Sequence, residues 1–129
     1  MSRTTQIEFE RLIAGNFQRH KNELSLASPT FREEGFITKA IMVGSRGSVE
    51  IWCGPAEYHA EIFVNTIKGQ KRWNLADLMT IESVRLWLYQ NRPNYSGRSL
   101  LEVEVEYLFY FIIDGLKGVA EFEWLRSRT

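Results

Sequence analysis

The segment Gly47–Ile67 constrains this chain more than any other. Val49, Ile51 and Trp52 lie before a Gly54-Pro55 pair, and Tyr58, Ile62, Phe63, Val64 and Ile67 follow it. β-Branched and aromatic runs on both sides of Gly-Pro punctuation predict two strands folded back on one another. Alternate residues of a strand face opposite ways, so Val49, Ile51 and Cys53 share one side while Glu50 and Trp52 share the other. In the next strand Tyr58, Ala60, Ile62 and Val64 oppose His59, Glu61 and Phe63 by the same rule. One face is therefore apolar and the other mixed. A hairpin by itself is marginally stable, so the apolar face must be covered by other parts of the chain.

Candidates for that cover occur at both ends. Thr5-Gln-Ile-Glu8 fits a capping box, and Phe9, Leu12, Ile13 and Phe17 follow it at helical spacing, predicting a helix that fades near His20-Lys21-Asn22. Glu23 to Glu34 reads as an irregular or partly extended connection broken by Ser28-Pro29. Phe36–Val43, bounded by Gly35 and Gly44, is the first strand, and the short loop Gly44–Gly47 makes a three-stranded antiparallel meander the simplest topology. Lys68-Gly-Gln-Lys-Arg72 then reads as a basic loop. Asn74 caps a second helix, with Asp77 in its first turn, and Leu75, Leu78, Met79, Glu82, Leu86 and Tyr89 form its partial stripe, with a break near Glu82-Ser83. After the turn-rich segment Asn91–Gly97, Ser99-Leu-Leu-Glu102 is another capping box. Val103-Glu-Val-Glu106 alternates like a strand, but Leu101, Val105, Leu108, Ile112 and Leu116 repeat like a helix, and the length of the run favours the helix. Gly115 and Gly118 end or bend it, leaving Val119–Arg126 as a last turn or short helix. The expectation is an α+β fold: an antiparallel meander of three or more strands packed against N-terminal and C-terminal helices, in a single domain covering residues 1–129.

Composition narrows the function classes. The chain of 129 residues is long enough for one core without a metal or disulfides. Its 16 Lys and Arg balance 16 Asp and Glu, so no net field exists to hold nucleic acid or an anionic membrane. Cys53 is the only cysteine, which excludes an internal disulfide and a cysteine-based zinc cluster. The first residues lack the apolar centre of a secretory signal, and no apolar run reaches the roughly 18 residues needed to span a bilayer. A cytoplasmic protein without a cofactor is expected.

Few residues point to chemistry. His20 and His59 are the only histidines and are not at the spacing of a helical metal site. Glu57, His59 and Glu61 would recur at about 7 Å along a strand, too far apart for hydrogen bonds between successive side chains. Cys53 shares its face with Val49 and Ile51 and is expected to be a small buried residue. Gly44-Ser-Arg-Gly47 lacks the spacing of a phosphate loop and reads as a turn. Lys68, Lys71 and Arg72 beside Trp73 could bind phosphate, but a solvated loop is the plainer reading.

The aromatic content is what remains: eight Phe, five Tyr and four Trp in a chain with one core. Trp52 and Phe63 fall on the sheet face that carries carboxylates, and aromatic anchors ringed by charge are characteristic of protein interfaces. This points to a non-enzymatic protein-binding surface made of Glu50, Trp52, Glu57, His59, Glu61 and Phe63. The alternative is a ligand-binding or enzymatic domain with a pocket between sheet and helices, His59, Glu61 and Tyr58 standing at its mouth. Covering of the mixed face by a second copy in a homodimer is a third option.

The order of features also resembles a known class. Ile7-Glu-Phe-Glu-Arg-Leu-Ile13 in the first helix, Val49-Glu-Ile-Trp52 and Ala60-Glu-Ile-Phe-Val64 in the strands, Trp73-Asn-Leu-Ala-Asp-Leu-Met79 and a closing Leu- and Phe-rich helix are similar to small α+β bacterial immunity proteins. Members of that class are encoded beside polymorphic or contact-delivered toxins and neutralise them by covering the toxin's active site. The resemblance implies a stoichiometric inhibitor with a toxin domain as its partner. It carries no catalytic motif, and the balanced charge departs from the acidic character common in inhibitors of nucleases, so the implied toxin need not be a nuclease.

Overall fold

The computed structural model describes residues 1–127. Helix α1 (Arg3–His20) comes first, followed by strands β1 (Thr30–Glu34), β2 (Ile37–Gly44), β3 (Gly47–Cys53), β4 (Ala60–Thr66) and β5 (Lys71–Trp73). Helices α2 (Leu75–Leu78), α3 (Glu82–Gln90) and α4 (Leu100–Tyr110) follow. A π-helical turn (Phe111–Gly115) prolongs α4, and a 3-10 segment (Ala120–Leu125) comes after it. The strands pair antiparallel in chain order, β1-β2-β3-β4-β5, which gives the expected α+β arrangement.

Side-chain alternation decides how the layers stack. In β2, β3 and β4 the residues Thr38, Ala40, Met42, Val49, Ile51, Cys53, Ile62, Val64 and Thr66 are all buried. Helices α1 and α4 contact one another, α1 meets β2 and α4 meets β4, so the two helices lie together over this face. Phe9, Ile13, Leu101, Val105 and Phe109 fill the space between the layers in one contiguous core. On the opposite face no residue of β2, β3 or β4 is buried.

Local sequence explains most helix boundaries. Helix α1 starts earlier than expected because Ser2, not Thr5, is its N-cap: the Ser2 hydroxyl accepts from the Thr5 amide at 3.1 Å, and Thr5 becomes an interior, buried residue. The Asn74 box forms in both directions, Asn74 Oδ1 accepting from the Asp77 amide at 2.8 Å and Asp77 Oδ2 from the Asn74 amide at 3.1 Å. The anticipated interruption is real, although Met79–Ile81 rather than Glu82-Ser83 separates α2 from α3. The stripe assigned there is overturned. Leu78 and Val84 are buried, whereas Leu75, Met79, Leu86 and Tyr89 are exposed, because the break rotates the second helix relative to the first.

At Ser99 the hydroxyl accepts from the Glu102 amide, and Leu101, Val105, Leu108, Ile112 and Leu116 are buried, so the helical period prevails over the alternation of Val103-Glu-Val-Glu106. Two strands were not anticipated. Part of the connection read as irregular or partly extended forms β1, and the end of the basic loop together with Trp73 forms β5.

The tryptophans divide the structural work. Trp87 donates to Asp114 Oδ2 at 2.6 Å and lies against Tyr107, Tyr110 and Phe111, tying α3 to the end of α4. Trp73 meets Phe122 edge-on at 5.5 Å. Trp124 lies under the β2–β3 turn, where a Cβ on Gly44 would stand 2.7 Å from its ring. A Cβ on Gly47 would come within 2.1 Å of the Asn65 carbonyl oxygen and 2.8 Å of the Trp124 ring. Backbone cannot retreat as a flexible side chain can, so Gly47→Ala is expected to destabilise the protein by about 2 kcal/mol or more. Urea unfolding of the two proteins measures the difference.

Candidate functional site

The uncovered sheet face is the most organised surface of the molecule. Register pairs Lys39 with Trp52, Ile41 with Glu50, Trp52 with Glu61, Glu50 with Phe63 and Asn65 with Arg72, which places all of these side chains on the same side. Trp52 and Phe63 sit diagonally on neighbouring strands, their ring centroids 4.2 Å apart with planes inclined by 39°. Cations flank the pair. Lys39 Nζ lies 4.0 Å from the Trp52 ring, and the Arg72 guanidinium lies 5.1 Å from Trp52 and 4.8 Å from Phe63.

Glu50 holds this arrangement together. Its carboxylate accepts from Trp52 Nε1 at 3.0 Å, from Asn65 Nδ2 at 2.6 Å and from the Arg72 guanidinium at 2.6 Å. Arg72 Nε in turn donates to Asn65 Oδ1 at 3.0 Å, and Asn65 Nδ2 also approaches Ser48 Oγ. Lys39 is drawn the other way to Glu34, 2.7 Å distant on β1. Lys39, Glu50 and Arg72, the charges in contact with the aromatic pair, thus each have a partner within the sheet. The rotamers of Trp52 and Arg72 are fixed before anything binds.

The structure brings together Glu50, Trp52, Glu61 and Phe63 of the expected surface and separates Glu57 from them. β4 begins at Ala60, so Glu57 and His59 belong to the β3–β4 loop, where Tyr58 takes a positive φ of 64°. The alternation extended back to residue 57 therefore fails, and Tyr58 is exposed rather than on the buried face. Glu57 points to the start of α1, accepting from the Ser2 amide at 2.7 Å and the Thr5 hydroxyl at 3.3 Å, a position in which its charge complements the helix N-terminus. His59 Nε2 lies 3.1 Å from Glu61 Oε1. The separation of about 7 Å expected for alternate strand residues does not apply, because His59 is in the loop. Lys39, Ile41, Asn65 and Arg72 are members of the face that sequence reading missed. The alternation of β2 was available to place Lys39 and Ile41; Arg72 required recognition of β5.

A cavity of about 330 Å³ opens beside this face. His59 of the β3–β4 loop, Glu61 and Ile62 of β4, Leu75 and Ala76 of α2 and Leu108 of α4 line it. Its walls are mainly apolar, and the His59–Glu61 pair at its rim is half exposed. Cys53 is fully buried, and burial, reinforced by the Glu104 charge, pushes its thiol up to about 11, so it is no nucleophile at neutral pH. Among the described residues no three His, Cys, Asp or Glu side chains gather to hold a metal ion, and no helix is long and apolar enough to cross a membrane. The basic loop is largely consumed: Arg72 is on Glu50, and Lys71 Nζ lies 3.5 Å from the Trp73 ring.

No family model matches the chain, and no curated protein or solved structure matches it.

Burial alone would raise the Glu50 carboxyl, but the hydrogen bonds from Trp52 and Asn65 and the charge of Arg72 outweigh it and hold the group below its ordinary 4.5. A carboxyl whose folded pKa is depressed contributes stability that is fully present above the unfolded value and is lost as pH falls through the folded one. The protein should therefore lose stability on acidification below about pH 4.5. Glu50→Gln should be less stable than wild type at pH 7 and should show a shallower decline through that acid window. Denaturant unfolding at a series of pH values measures both slopes.

Proposed function

We propose that the protein is a stoichiometric protein-binding module of the immunity type, which neutralises a bacterial toxin domain in the cytoplasm by covering its active site, without catalysis of its own. The observation that carries this reading is the Trp52–Phe63 pair, standing on a sheet face that the chain's own described helices leave open. Large aromatic side chains at the centre of a patch supply affinity, and here their conformations are already fixed by Glu50, Lys39 and Arg72, which lowers the ordering cost of association. Lys39 and Arg72 are each paired with a carboxylate of the sheet. Partner choice would then depend on matching an ordered pattern of paired groups, with Glu61 and His59 at one rim, rather than on long-range attraction. An open sheet face of this kind suits a protein partner better than a small molecule.

The cavity beside His59 supports a second reading, a small apolar ligand bound between β4, α2 and α4 with a polar group directed to the His59–Glu61 pair. Mass spectrometry of the protein purified from its native host separates the two readings. A retained metabolite released by Leu75→Trp, which fills the cavity, favours the ligand.

For the binding reading, affinity capture from the same host uses the wild type and the Trp52→Ala, Glu61→Lys double variant in parallel. The wild type should retain one protein in stoichiometric amount and suppress that protein's toxic activity. The double variant should stay folded and bind at least about 30-fold more weakly, the loss of about 2 kcal/mol or more that defines a hot spot. Equal binding by the two proteins would remove this face from consideration.

A further inference from the structure

At the opposite end of β4 from His59 the two hairpin turns and the closing segment enclose another cavity, of about 430 Å³. Arg46 comes from the β2–β3 turn, Thr66 and Lys68 from the end of β4 and the turn to β5, and Glu121 and Trp124 from the 3-10 segment. The turns are joined directly, the Ile67 amide donating to the Arg46 carbonyl at 3.1 Å. Two cations are thereby held on adjacent turns facing one hollow.

Both are also open to a ligand. Lys39, Arg72 and Arg98 are each within 4.0 Å of a carboxylate, and Lys71 covers Trp73, whereas neither Arg46 nor Lys68 has an ion-pair partner among the described residues. Glu121, the one carboxylate on the lining, is not paired with either of them, which leaves the hollow with an excess of positive charge. The floor is apolar. Trp124 is pinned against Gly44 and Gly47 and is only 5% exposed, and its Nε1 already donates to the Glu121 carbonyl at 3.1 Å, so a narrow edge of ring carbon is what it presents to a ligand. The volume lies toward the small end of the range for ligand pockets.

We infer that this cavity binds a small organic anion, a carboxylate or phosphate monoester with an apolar body, whose charged group lies between Arg46 and Lys68 and whose body rests on Trp124. Arg46 supplies a planar fork of donors and Lys68 a point charge, the combination that suits a carboxylate or phosphate oxygen set. Glu121 opposes the anion and disfavours ligands with more than one charged group. The site is separate from the open sheet face and does not depend on the binding reading given above.

The test is titration of ¹⁵N-labelled protein with phenyl phosphate, phenylacetate, neutral phenylacetamide and inorganic phosphate, following the Gly69 amide and the Trp124 indole N–H. Phenyl phosphate and phenylacetate should shift both signals saturably at concentrations up to roughly 10 mM, while phenylacetamide and inorganic phosphate bind several-fold more weakly. Arg46→Ala and Lys68→Ala should each weaken phenyl phosphate roughly tenfold, and Glu121→Gln should tighten it. Arg46 and Lys68 are exposed, so thermal unfolding of these variants should match the wild type; Arg46→Gln and Lys68→Gln replace any that does not. Absence of saturable shifts with both organic anions, shifts that survive both cation substitutions, or equal binding of phenylacetamide overturns the inference. Inorganic phosphate binding as tightly as phenyl phosphate overturns the organic part of it.

Discussion

The structure depends on a sheet that is covered on one side only. β2, β3 and β4 alternate so strictly that the buried residues all fall on the face under α1 and α4 while the other stays open, and a shift of register by one residue would exchange them. The helices follow from this constraint. Helix α4 is apolar along the stripe Leu101, Val105, Leu108 because it must meet β4, and its continuation through a π-helical turn keeps Phe111 and Ile112 in the same core. Trp124 and Trp87 then brace the two ends of this layer, one beneath the β2–β3 turn and one against α4.

The open face must hold its own order without a covering layer. Its solution is electrostatic: a carboxylate on the central strand collects an indole N–H, an amide and a guanidinium from three different strands. Each of these bonds is modest in water, but together they orient the aromatic pair and neutralise the charges around it. A face kept ordered in this manner, with aromatic rings partly exposed at its centre, would lose little conformational freedom on association.

Much of this was legible in the sequence because strand alternation and helix caps are local. Val49 through Cys53 showed which face would be buried, and Asn74 with Asp77 and Ser99 with Glu102 showed where helices begin. What was missed involves partners distant in sequence. Nothing local marks Thr30–Glu34 or Lys71–Trp73 as strands, since both are short, polar edge strands whose pairing with β2 and β4 makes them extended. Arg72 consequently read as part of a solvated loop, although it closes the Glu50 cluster. Glu57 and His59 leave the alternation because a loop interrupts it before Ala60, and Ser2 caps α1 although Thr5 and Glu8 have the spacing of a capping box. The cavity lined by Arg46, Lys68 and Trp124 joins segments that only the fold brings together.

The central claim is that the face carrying Trp52 and Phe63 is the surface on which a protein partner docks. Its most direct test is the indole Nε1–H resonance of Trp52, assigned by its absence in Trp52→Phe, followed as the captured partner is added to one equivalent. The account predicts that this resonance moves or broadens together with the amides of β3 and β4, while those of α1 and α4 stay in place. An unmoved Trp52 signal, with the changes confined to the helices, would contradict it.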